Sequence, residues 1–266
     1  YATMVIVSSP ELIKEVFAWD PAQLQGGRSN EVVRPFVGPN SVLVLDGAEH
    51  QRQRKLLMPA FHGERMQAYG RTMLDLAEAA VASWPIGRLF KLHAAFQDIT
   101  LRVIVRTIFG AQEGANTERL IEASRDVIDF ASNPLLLFPV MQRDLGALSP
   151  WGKFLRKSAV VDDLLRQEID RRRAAAESEG ADVLAMLIAA RDEAGEPMTF
   201  AEIRDELATM LVAGHETTAT ALAWTLCYLL RDEPLWRRLQ EELAQAVEGG
   251  RLVPERVARL ELLDAT

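Results

Sequence analysis

From Leu207 to Leu230 the chain carries one acidic residue, Glu216, and one histidine, His215, among residues that are otherwise apolar or neutral. Just upstream, Thr199-Phe200-Ala201-Glu202 has the form of a capping box, in which Thr and Glu each satisfy the other's free backbone amide. Together these features predict one long helix over 199–231. The apolar stretch matches the ~20 residues that a membrane span requires. However, His215, Glu216 and the neighbouring threonines stand at its centre, where ionisable groups in lipid are costly. A buried helix with a functional centre is the reading that follows, without a transmembrane segment.

The rest of the chain fits around a helix of this kind. Met4-Val5-Ile6-Val7 is a β-branched run that predicts a short strand. Ser9 then caps a helix with Pro10 at its first position. Residues 20–45 are loop-rich, and from about Ala48 onward almost every segment shows the three-to-four spacing of helices. The expected fold is mainly α with a short β element at the start, in one domain over residues 1–266. The charge-dense stretch 162–179 predicts a solvated helix face, with Arg171, Arg172 and Arg173 at the surface. Thirty Lys and Arg against 38 Asp and Glu leave a net charge of −8, which argues against a nucleic-acid binder. A single cysteine, Cys227, excludes a disulfide framework or a multi-thiolate metal site within the chain. The first residues, starting at Tyr1, have no basic segment or cleavage site of a signal peptide, so a cytoplasmic location is expected.

Chemistry is concentrated in Ala213-Gly214-His215-Glu216-Thr217-Thr218. Ala213, Thr217 and Ala221 recur every four residues with Gly214 and Thr218 beside them, so a helix presents one face of small side chains that a bulky group can approach. Gly214 costs about 1 kcal/mol against alanine mid-helix, and adjacent threonines can bond back to the preceding turn and bend it. Several unfavourable choices in one turn point to a site. A helix kink with a satisfied polar cluster is the plainer alternative. A zinc-protease helix is excluded because Ala219 stands where its second histidine is needed.

This motif in a long central helix resembles the oxygen-activating helix of the cytochromes P450, the haem-thiolate monooxygenases. The segment Gly47 to Lys55 resembles that family's earlier helix, where a His or aromatic residue and an Arg four residues later meet the haem propionates; here these are His50 and Arg54. Met58-Pro59-Ala60-Phe61, Asp182-Val183-Leu184 and Arg231-Asp232-Glu233-Pro234 agree in order and spacing, so the resemblance spans essentially all 266 residues. It implies that the chain is an internal fragment, with the iron-ligating cysteine beyond residue 266 and no metal ligand within it. Cys227, among apolar neighbours and off the Thr217 face, is expected to be buried and structural. The fragment alone is expected to expose apolar surface of the long helix and to be inactive.

The resemblance implies haem b (iron protoporphyrin IX), dioxygen as co-substrate, and insertion of one oxygen atom into a hydrophobic organic molecule. Glu216 and Thr217 match the acid–alcohol pair that relays protons; Ala213 and Gly214 would leave room for dioxygen and the haem edge, with Thr218 and Ala221 lining the pocket. Phe36, Val42, Leu43 and Leu137 fall in the two apolar segments that close the family's pocket, which makes a hydrophobic substrate the default. The run His50 to Met66 resembles a bacterial subgroup associated with fatty-acyl, alkane or terpenoid oxidation. A ferredoxin or flavodoxin with an NAD(P)H-dependent reductase would supply electrons. Arg52, Arg54, Lys55 and Arg65 against Glu64 form either a docking patch for such an acidic partner or a plain solvated helix. A haem-free helical scaffold and a hydrophobic-ligand carrier are the rival readings.

Overall fold

A computed structural model describes every residue except 1–4, 21–24, 62–63, 111–114, 132, 147–148 and 175–181. Helices α1 (Pro10–Phe17), α2 (Gly26–Ser29), α3 (Arg34–Val37) and α4 (Gly47–Leu57) lead into the longer α5 (Glu64–Ala82), α6 (Leu92–Phe109), α7 (Ala115–Ala131) and α8 (Pro150–Ala174). The short α9 (Val183–Ala189) precedes α10 (Phe200–Leu229), which α11 (Glu233–Ala244), α12 (Pro254–Val257) and α13 (Glu261–Asp264) follow. Between α11 and α12, β1 (Val247–Glu248) pairs antiparallel with β2 (Arg251–Leu252).

Local chemistry sets the helix starts where the sequence places them. Ser9 accepts from the Leu12 amide at the head of α1, Asp182 from the Ala185 amide at α9, and Asp232 from the Leu235 amide at α11. At α10 both halves of the capping box form between Thr199 and Glu202. Of the expected strand at the start, Met4 lies outside the described residues; Val5 to Val7 has no regular structure, and Val5 and Ile6 are exposed. β-branched composition favours a strand only when another edge satisfies its backbone groups, and no described segment pairs with this one.

The main core gathers Leu101, Val105 and Ile108 of α6, Ile121 of α7, Leu165 and Ile169 of α8, Leu184 and Leu187 of α9, and Ile203 and Leu207 of α10. Each such side chain contributes roughly 1.5–3 kcal/mol by leaving water. The first half of α10 is therefore anchored in the core. Farther along, Ala219 packs against Phe96 and Ile99 of α6, while Trp224 and Tyr228 on another side are 58% and 64% exposed. Thus the long helix is buried on one side only over its second half, and the expected exposed apolar surface is present there. Cys227 is half-buried rather than buried. Among the described residues, no helix is long and apolar enough to cross a membrane.

One charged residue departs from its expected surface position. Arg172 of α8 is buried, donating to Glu168 and Asp182 and, through Nη2, to the Phe109 carbonyl at 2.8 Å. The basic triplet is thus split, since α8 turns its central arginine inward to join the ends of α6 and α9.

Candidate functional site

The centre of α10 presents Ala213, Thr217, Thr218 and Ala221 on an exposed face. Thr217 Oγ1 donates back to the Ala213 carbonyl, a bond that tends to bend a helix. Gly214 is more enclosed: a Cβ there would lie 2.9 Å from Ile104 Cδ1 of α6, so its missing side chain serves the approach of α6. The open face is consequently built by the alanines and threonines, with the glycine at its margin.

Glu216 adjoins Thr217 in sequence but is rotated about 100° around the helix, toward α6. There Gln97 Nε2 donates to its Oε2 at 2.6 Å, and His93 Nε2 lies 3.4 Å from its Oε1 and 3.2 Å from Thr220 Oγ1. His215 is buried beside them, its Nε2 3.7 Å from Glu216 Oε2. Burial pushes the His215 imidazole below its ordinary pKa, against the opposing pull of Glu216, and so favours the neutral ring. Thr100 Oγ1 donates to the His215 carbonyl at 3.0 Å, tying the motif's backbone to α6. His93 and Gln97 were not legible as site residues, because nothing in sequence spacing connects α6 to position 216.

On α4, His50 is half-buried and Arg54 is exposed one turn later on the same face. Arg52 Nε donates to Asp192 at 2.7 Å and its Nη1 to Glu202; Lys55 meets Glu193 at 2.6 Å. Two of the expected patch's cations are therefore already neutralised by the segment joining α9 to α10. Arg65 has its side chain outside the described residues. Arg54 has no acidic partner among the described residues. The local charge excess expected for a docking patch is thereby reduced.

Among the expected pocket residues, Phe36, Val42 and Leu43 have their described contacts elsewhere than at Ala221. Phe36 packs edge-on against Trp151 and Phe154, with ring centroids 5.8 and 5.2 Å away. Val42 packs against the main core, and the Leu43 carbonyl accepts from Asn30 Nδ2 at 2.9 Å. Leu137 ends the 3₁₀ turn Pro134–Leu137, and its side chain lies outside the described residues. The physical reason is a clamp from the first half of α10. Asp205 Oδ2 accepts from the Asn40 amide (2.9 Å) and Nδ2 (2.7 Å), Glu206 Oε1 accepts from the Val42 amide (2.9 Å), and Thr209 Oγ1 donates to Ser41 Oγ (2.6 Å). Gly38, at φ 89°, lets the backbone pass so near that a Cβ would lie 2.1 Å from Asp205 Oδ1. Segment 38–44 is thus held against the buried half of the helix, away from the open face. Sequence reasoning missed Asp205 and Glu206, although adjacent carboxylates between Ile203 and Leu207 are a legible sign, since acids in an apolar helix need partners or stay neutral.

The family model described as Cytochrome P450 matches residues 1–266. This chain belongs to the cytochrome P450 family. Among its relatives from Mycobacterium tuberculosis, one named provisionally as cytochrome P450 135A1 is 34% identical over 93% of this chain and 54% of that protein. Another, named provisionally as cytochrome P450 137, is 36% identical over 93% of this chain and 52% of that protein. The chain therefore spans about half the length of these P450 relatives. The solved structure of retinoic acid-bound cyanobacterial CYP120A1 matches with a TM-score of 0.75 at 23% identity, over 88% of this chain and 51% of that one. The haem domain of cytochrome P450DA matches at 0.68 with 24% identity, over 92% and 56%. These two likenesses establish the P450 fold.

The family's haem fits the residues that this P450 chain presents. Among the described residues Arg54 has no carboxylate partner while Arg52 and Lys55 are paired, which suits it to a propionate, and His50 shares its face. The Ala213–Thr217–Ala221 face of α10 is open and lined by small side chains, as a flat macrocycle edge requires. Cys227 lies ten residues beyond Thr217, about 15 Å along the helix and on another side, so it does not serve this surface.

Proposed function

We propose that the protein is a haem-dependent monooxygenase that inserts one atom of dioxygen into a hydrophobic organic substrate of the fatty-acyl, alkane or terpenoid class. The observation carrying this reading is the open small-residue face of α10 with Thr217 upon it and Glu216 beside it, in a chain matched by the P450 family from end to end. Haem b, when bound, supplies the redox-active iron at which dioxygen is reductively cleaved. His50 and Arg54 would hold the propionates, and Cys227, the one cysteine of residues 1–266, is not placed to ligate the iron. Ala213 leaves space at the helix backbone, Gly214 at its margin admits Ile104 of α6, and Thr218 and Ala221 support the pocket. A ferredoxin or flavodoxin with its NAD(P)H-dependent reductase supplies electrons.

The chain's own residues move the protons. Glu216 Oε2 is held by Gln97 and its Oε1 lies near the half-exposed His93, so its carboxyl can exchange protons with solvent on the α6 side. A side-chain rotation carries a proton around the helix toward Thr217 Oγ1. Thr217, on giving up its bond to the Ala213 carbonyl, presents its hydroxyl proton to the open face. In the full-length, haem-loaded protein, Thr217→Ala is expected to divert reducing equivalents to peroxide and lower product formed per NADPH, and Glu216→Gln to slow oxygen consumption. Unchanged coupling and turnover in both variants would remove these roles. A scaffold or carrier without haem is disfavoured by the family match, and no haem absorbance band in the full-length protein would restore it.

A further inference from the structure

We infer that Arg52 is a positioning residue that sets the rotation of α4 about its own axis and so aims His50 and Arg54. This rests on the propionate role proposed above for those two residues. Arg52 stands two positions from each of them, and at about 100° per residue it projects from the far side of the helix. It is gripped there by two carboxylates. Its Nε meets Asp192 Oδ2 at 2.7 Å and its Nη1 meets Glu202 Oε1, which also accepts from Gln53 Nε2 at 2.8 Å.

Both carboxylates are themselves rigidly mounted. Asp192 accepts from the amides of Ala194 (3.0 Å) and Glu196 (2.9 Å) in the turn before α10. Glu202 Oε2 accepts from the Thr199 amide at 2.7 Å within the capping box. The bond to Asp192 is the largest influence raising the Arg52 pKa.

Apart from the solvent-exposed Lys55–Glu193 pair in its last turn, the helix has few other means of fixing its orientation. It buries only Gln53, Leu56 and Leu57, all in its second half, and no side chain caps its start, since Asp46 is engaged by the amides of Gly27 and Arg28. The turn carrying His50 is thus aimed through Arg52. The same grip ties α4 to the first turn of α10, so the two faces proposed to meet the haem are held in one frame.

The test is the rate of haem transfer from the full-length, haem-loaded protein to apomyoglobin, measured beside the thermal midpoint. Arg52→Gln is expected to speed haem loss about tenfold, as loss of a charge-assisted contact would, and Arg52→Lys to remain near wild type. The double variant Arg52→Gln/Arg54→Ala should speed haem loss by less than the product of the two single effects, because Arg52 acts in part through Arg54 and coupled sites are not additive. Wild-type retention by Arg52→Gln, or additive losses in the double variant, overturns the inference and leaves the propionate reading standing. Wild-type retention by Arg54→Ala and by a His50→Ala variant overturns the propionate reading itself.

Discussion

Glu206 is fully buried on α10, and its Oε2 has no hydrogen-bond partner among the described residues. Burial, reinforced by the negative charges of Asp205 and Glu202 and opposed by the Val42 amide, pushes its pKa from the ordinary 4.5 up to about 8. The carboxyl is therefore protonated in the folded protein at neutral pH and ionised in the unfolded chain. Between these two pKa values the folded state binds more protons, so stability falls as pH rises. The contribution is fully present below about pH 4.5 and is lost as pH passes through about 8. At 1.36 kcal/mol per unit, a rise of about 3.5 units amounts to roughly 5 kcal/mol, of which about 3 kcal/mol is already lost at pH 7.

Glu206→Gln isolates this effect. The amide oxygen still accepts from Val42, and the amide nitrogen left without an acceptor costs about 1–3 kcal/mol at every pH. The difference in unfolding free energy, variant minus wild type, should thus climb between pH 5 and 8 by up to about 1.4 kcal/mol per pH unit and then level off. Urea denaturation followed by circular dichroism at half-unit pH steps measures it. A difference that stays flat across this window would show that Glu206 ionises freely in the folded state, and would refute its description as a buried neutral acid.

Arg172→Met should destabilise by about 3 kcal/mol, because it leaves the carboxylates of Glu168 and Asp182 and the Phe109 carbonyl without a buried partner; the shift in urea midpoint checks this. Gly38→Ala should cost at least about 2 kcal/mol, since φ 89° with ψ 164° is a glycine-only region and the new Cβ would collide with Asp205. Amide exchange at Asn40 and Val42 should quicken in that variant while α8 stays protected, and equal protection throughout would count against the clamp.

Much of this protein is determined locally and is therefore legible in the sequence. Thr199 and Glu202 need only each other to start α10, and Ser9 with Pro10 needs only the next turn to start α1, so both helices begin where residue order places them. The four-residue recurrence of Ala213, Thr217 and Ala221 fixes a common face by helix geometry alone. What tertiary structure decided is where each face points and which charges meet. Val5 to Val7 has strand composition but no described edge to pair with, so it stays irregular. The cations of α4 look alike in sequence, yet Arg52 and Lys55 are claimed by Asp192, Glu202 and Glu193 from about 140–150 residues away, and only Arg54 keeps a free guanidinium among the described residues. Gly214 serves Ile104 of α6, and Glu206 draws Val42 away from the open face. Helix periodicity and capping are short-range and survive in any context. Burial, and the pairing of polar groups that burial demands, depends on contacts between distant segments that spacing along the chain does not encode.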